Sequence, residues 1–401
     1  MLFLSRRLIA AISVSFLVKL LLTLFAFPLG FGHPDFYNWV HLAANMYSQL
    51  VNGVVPSIDS AGVYGVMSLF LTPFYAAWSM LPIVHPSLEQ ALSTPVFAER
   101  APLVLLMKLP IISFDLITGV AILLIVRNLG SSRLAAAAFF LWYLNPFSFL
   151  VMELWGEFDV VATGFMMVAI LLAMRERWVY AGLLLGFSTV LRFFPLFVLP
   201  FFLLASLRQR NKLSSITLLA GFAVPILSVI LTVLLKSGSL LHVLNFISSL
   251  ATTAPYLADY FQGIPRGSSV PTGFFSLIVQ AYLFLRYWKS SKSLVNGSLA
   301  GLLILTTAST PLPYHYVWVI ALATASCALG ARKFRSLFLL LMICACMSLA
   351  IGFNGIVDPL NYPPLLALEN LVDGVFWGVK IIYLVELNIA AMELKSWWSV
   401  L

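Results

Sequence analysis

Apolar runs of helix length, roughly 17 to 25 residues, recur from Leu8 to the neighbourhood of Lys395, and most of the basic residues sit in the short gaps between them. No other feature restricts the fold as strongly. A coiled run of that length matches the hydrocarbon thickness of a bilayer, where every backbone N–H and C=O must be satisfied inside its own segment. The ten-residue alternation of a membrane barrel does not occur. The pattern predicts an all-α, polytopic transmembrane bundle. Composition agrees: 61% of residues are hydrophobic and 9% charged, with a mean hydropathy of +1.00, whereas a soluble globule carries about 25% charge.

Charge placement supplies a topology. The net charge of +8 would suggest a nucleic-acid partner in a soluble protein, but here it follows the gaps between apolar runs, so no nucleic acid is expected. With Arg6 and Arg7 in the cytosol, a first span covers about Leu8 to Pro28, and no small-residue cleavage site marks it as a signal peptide. Residues 29–100 then form a long first outer loop with interfacial or re-entrant helices, Leu69 to Leu81 among them. About twelve spans follow from the alternation, N-in and C-in, in a single domain over residues 1–401. Sixteen of the 23 basic residues fall in cytosolic gaps and eleven of the 15 acids in outer ones. Residues 236–271 read as an outer loop. Cys327, Cys344 and Cys346 all lie in apolar segments, which implies packing rather than disulfides or metal.

Charges at membrane depth are costly and therefore informative. Asp35, in HPDFYNW just past the first span, is either a proton acceptor in an aromatic setting or a cap at the start of an interfacial helix through Leu50. Glu157 and Asp159, in WGEFD, share a face if extended; they could bind hydroxyls, a metal or an acceptor, or merely cap the next span with Asp159 as N-cap. Arg192 stands among Leu191, Phe193, Phe194 and Pro195 and needs an anion from elsewhere, either a carboxylate or a phosphate. Two short helices should meet there. Asp115 lies two turns from Lys108, too far for a tight pair, so a partner on another helix is expected. Arg266 reads as a loop arginine, and His315, in PLPYHYVW, as a core, capping or ligand-contacting histidine.

In order along the chain, HPDFYNW, the Lys108 to Asp115 span, Asn145-Pro146 followed by WGEFD, AGLLLG with LRFFPLFVLP, and PLPYHYVW resemble integral-membrane glycosyltransferases of the GT-C class. The types most similar are the polyprenol- or dolichyl-phosphate-mannose-dependent mannosyltransferases of the GPI mannosyltransferase I and phosphatidylinositol mannoside groups. The resemblance implies a hexose, mannose above others, moved by inverting displacement from a dolichyl or polyprenyl phosphate donor to a lipid-linked glycan or glycolipid acceptor, on the non-cytoplasmic side of the plasma membrane or endoplasmic reticulum. It implies Asp35 as catalytic base, Arg192 and Arg266 at the donor phosphate, and His33, Glu157, Asp159, Tyr314 and His315 against substrate. Glu157 departs from the Gln or Asn that the family often carries there. No DxD-like pair occurs, so no cofactor or metal is required, though the acidic loops could bind a divalent ion. Two other classes compete. A transporter or lipid-carrier flippase would use Asp115, Arg192 and Glu157 as a charge relay, and a noncatalytic scaffold would tolerate neutral substitution of Asp35.

Overall fold

A computed structural model describes residues 6–26, 34–59, 65–83, 97–129, 132–154, 156–208, 213–253, 293–308, 313–329, 335–336, 338–343, 375, 378–382 and 385–386. All regular structure among the described residues is helical. Helix α1 is Arg6–Ala26; α2, Pro34–Val51; α3, Gly65–Ser79; α4, Phe97–Leu129; and α5, Ser132–Tyr143. Then come α6, Asp159–Met174; α7, Trp178–Leu191; α8, Leu199–Leu207; α9, Leu213–Ser237; α10, Leu240–Thr253; α11, Ser293–Ala308; and α12, Val317–Leu329. His33 and Arg266, and the expected span between residues 272 and 286, lie outside the described residues.

Helix α6 is the axis of the bundle. It is apolar all round and buried along nearly its whole length, as an apolar helix without a polar stripe must be. Helices α4, α7 and α12 pack on it. Gly164 allows the α4 contact, since a Cβ there would meet the Phe114 ring. The outermost helices show the reverse pattern. On α1, Leu8, Ile12, Lys19 and Thr23 turn inward, while Val14, Leu17, Val18, Leu21 and Leu22 face out. On α9, Leu213, Ile216, Val224, Leu227, Leu231 and Leu235 form an exposed apolar stripe.

Among the described residues, three stretches, Ala101–Leu129, Leu134–Glu153 and Leu213–Ser237, are long and apolar enough to cross a membrane. Shorter apolar helices include Leu8–Thr23, Asp159–Met174 and Val317–Ala328.

Local breaks fall where the residues require them. The expected pair of short helices around Arg192 is present as α7 and α8, joined through Arg192 in extended conformation (φ −152°, ψ 134°) and a 3-10 turn over Phe194–Val198. Pro195 lacks the N–H that would continue α7. The helix expected from Pro34 is α2. The outer loop from Lys236 differs from expectation: its first part is α10, whose Val243 and Phe246 cover Ile58 and Val233. That apolar spacing, three residues apart beside exposed Leu244 and Ile247, is helical rather than loop-like.

Candidate functional site

The segment after α5 is built to turn sharply without exposing its backbone. Asn145 caps a short turn over Pro146–Ser148, its side-chain oxygen accepting from the Phe147 N–H at 2.9 Å with Pro146 at the first helical position. A π-helix, Phe149–Leu154, follows. Gly156 then adopts φ +85°, and a Cβ there would lie 2.6 Å from Phe36. Only glycine suits both conditions. The first turn of α2, which carries Asp35, therefore lies directly on the WGEFD loop. Phe36 stacks on Phe158 with centroids 6.4 Å apart, and Trp39 meets Phe158 edge-on at 5.7 Å.

Asp159 opens α6 as its first residue, not as its N-cap, which is Phe158. The carboxylate sits where the positive end of the helix dipole favours it. Its Oδ1 lies 2.5 Å from Arg192 Nε, and its Oδ2 accepts from Trp318 Nε1 at 2.9 Å. His315 Nε2 is 4.0 Å from that same Oδ2, and Glu157 Oε2 is 4.0 Å from Arg192 Nη2. The guanidinium also lies over the Trp39 ring, 5.2 Å from its centroid, and Trp318 is stacked with both His315 and Phe194. Glu157, Asp159, Arg192 and His315 are all buried. Neither carboxylate is in a solvated loop.

A second ionic cluster adjoins the first. Lys19 of α1 holds Asp115 of α4 at 2.6 Å and Glu153 of the π-helix at 3.0 Å. The partner that Asp115 needed is thus on another helix. Lys108 donates to the Glu153 carbonyl and lies 5.4 Å from the centroid of the Phe36 ring, so it connects the two clusters. On the far side, Lys380 donates to the Thr306 carbonyl at 2.6 Å and to the Tyr316 hydroxyl at 3.2 Å, next to His315.

At the rim, Asp59 joins the loop after α2 to α9 and α10. It accepts from His242 Nε2 at 2.8 Å and pairs with Lys236 at 3.4 Å, while Lys236 also donates to Ser57. Burial pushes the Asp59 carboxyl up, but the His242 hydrogen bond and the Lys236 charge outweigh it and hold the group below its ordinary value of 3.8.

Of the residues singled out in the sequence, Glu157, Asp159, Arg192 and His315 converge. Asp35 is the second residue of α2, so its backbone adjoins Phe36 at the same place. Tyr314 lies in the 3-10 turn Pro313–Tyr316 beside His315. The side chains of Asp35 and Tyr314 lie outside the described residues. Lys19, Lys108, Glu153, Trp39, Trp318 and Lys380 complete the clusters without having been singled out as site residues. Lys19 carried a readable signal, being a charge inside an apolar run like Asp115 itself. The tryptophans carried none.

Chemically, the site sets one fixed cation between two carboxylates, with an imidazole and an indole N–H beside them. Such an arrangement holds hydroxyl groups well, through carboxylate acceptors, and can meet a phosphate through the arginine and a protonated histidine. Among the described residues no group of three or more His, Cys, Asp or Glu is disposed to hold a metal ion. Comparison with protein-family models, curated proteins and solved structures gives no match to this chain.

Proposed function

We propose that this chain is a multi-pass membrane glycosyltransferase of about twelve spans, N-in and C-in. It moves a hexose, mannose first, from a dolichyl or polyprenyl phosphate donor to a membrane-presented glycolipid acceptor at the outer face. One observation carries the reading: the α2 start bearing Asp35, the WGEFD acids, Arg192 and His315, drawn from four distant parts of the sequence, meet at one end of the bundle.

In this mechanism the acceptor hydroxyl loses its proton to the Asp35 carboxylate as its oxygen bonds to the anomeric carbon. The bond from that carbon to the phosphate oxygen breaks with its electron pair, and the configuration inverts. Arg192, assisted by His315, stabilises the charge that grows on the departing phosphate. Asp159 holds the guanidinium in place through its 2.5 Å contact, and Glu157 is free of backbone regularity and positioned to accept from sugar hydroxyls. His33, Tyr314 and Arg266 are assigned to substrate and donor contacts on the sequence resemblance alone.

The test is transfer of radiolabel from dolichyl-phosphate mannose to extracted membrane lipids by the purified protein, run beside Asp35→Asn. Label in a larger glycolipid with the wild type and at least a hundredfold less with Asp35→Asn is expected, because a general base contributes about that factor or more. Equal transfer by both removes Asp35 as base. Blanks with both mannose and glucose donors overturn the transferase reading in favour of transport, for which the buried Lys19, Asp115 and Glu153 group is the structural argument.

A further inference from the structure

At the other end of α6, the turn into α7 and the start of α9 line an open pocket of about 430 Å³. Its origin is in the small residues of the α7 and α9 seam. Gly182, Gly186 and Gly221 let the two backbones touch, and a Cβ on any of them would collide with a carbonyl of the facing helix. Beyond the seam Trp178 and Leu213 line the pocket together with Arg177, Ser214 and Thr217. Both helices begin there, so the positive ends of two dipoles face it. The turn itself is strained, with Glu176 at φ 62°.

The cavity changes character along its length. Arg177 is exposed at the polar end, next to exposed Arg175, and Glu176 is the acid among the lining residues. Trp178, buried, and Tyr180, exposed, stand beside the pocket. The same lining includes Val179 and Leu213, which are 47% and 56% exposed. A cationic polar head above a bare apolar strip is the complement of one kind of ligand.

We propose that this cavity seats the headgroup of an anionic phospholipid of the cytosolic leaflet. The phosphate lies between Arg177 and the two helix starts, the glycerol region at Ser214 and Thr217, and an acyl chain along Val179 and Leu213. A free phosphate shares the headgroup chemistry but leaves the apolar strip uncovered. The inference rests on the cytosolic placement of the α6 to α7 turn and is independent of the transferase reading.

The full chain in neutral detergent is titrated with dioleoyl-phosphatidylglycerol, with dioleoyl-phosphatidylcholine and with inorganic phosphate, and bound species are counted by native mass spectrometry. The wild type retains phosphatidylglycerol over phosphatidylcholine, and Arg177→Ala lowers that retention about fivefold, the effect of one basic residue near a charged headgroup. Arg177→Gln does the same, and Arg177→Lys retains part of the binding. Equal retention of the two lipids by the wild type, or phosphatidylglycerol retention unchanged in both neutral variants, overturns the proposal. So does inorganic phosphate competing as well as phosphatidylglycerol, which identifies a free-anion site. Arg177 makes no side-chain cap, so the variants test binding rather than folding.

Discussion

Arg192 and Asp159 depend on each other more than either depends on solvent, because both are buried and 2.5 Å apart. Leaving one buried charge without its partner costs about 3 to 5 kcal/mol, whereas losing both costs much less. Asp159→Asn and Arg192→Gln are therefore each expected to lower the thermal midpoint in detergent, and the double variant to recover most of the loss. Glu157, 4.0 Å from the guanidinium, places Asp159→Asn at the milder end. Additive losses in the double variant would mean that the pair is not coupled. The sequence already contained half of this interaction: Arg192 has no acid within a helical turn, so an anion from a distant segment had to reach it. Which anion was not readable. Asp159 and Glu157 are two residues apart and looked equivalent, and only the start of α6 at Asp159, with Trp318 on its second oxygen, separates their roles. A π-helix turn has no distinct sequence pattern, and it is that turn that brings Glu153 to Lys19.

Among the elements, the loop after α2 has the most conditional attachment. Its Ile58 is buried under α10, and its Asp59 is tied to His242 and Lys236. The carboxyl is held below its ordinary 3.8, so it contributes stability that is fully present above that value and is lost as pH falls through the lower folded value. The hydrogen-bonded amides of Val54, Ser57 and Ile58 are expected to keep their hydrogen-exchange protection at pH 7 and lose it as pH falls well below 3.8, after correction for intrinsic rates. Asp59→Asn should show the low protection under both conditions. A variant that behaved like the wild type at pH 7 would assign the attachment to Ile58 packing alone. Because this loop continues from the helix that carries Asp35, loosening it acts on the site through α2. Helix α2 itself was legible from Pro34 and Asp35, which suit a helix start, and the α7 to α8 break from Pro195. Helix α10 was not, since the charge-based topology reads residues 236–271 as one outer loop and does not resolve a helix within it.

At the scale of the whole molecule, charge is sorted twice. Outside the helices, basic residues gather in one set of gaps and acids in the other. Inside, among the described residues, the buried cations Lys19, Lys108, Arg192 and Lys380 equal in number the buried carboxylates Asp115, Glu153, Glu157 and Asp159, with Lys19 and Arg192 paired to them directly and Lys108 and Lys380 donating to backbone carbonyls. Balance of this kind lets an apolar bundle keep ionised groups, and it concentrates them at the end where α2 closes over the WGEFD loop. Topology decides which side of the membrane that end faces. In a background lacking Cys327, Cys344 and Cys346, a cysteine at Asn52, exposed beyond α2, is expected to react with a membrane-impermeant maleimide in intact cells. One at Glu176, exposed in the α6 to α7 turn, should react only after permeabilisation. The opposite result moves the acid and arginine cluster to the cytosolic leaflet, where a lipid-borne donor loses its rationale and the phospholipid cavity would open to the outer leaflet instead. Labelling of both positions from one side would break the alternation itself, because α6 alone, about 24 Å long, could not then separate Asp159 from the turn across a bilayer.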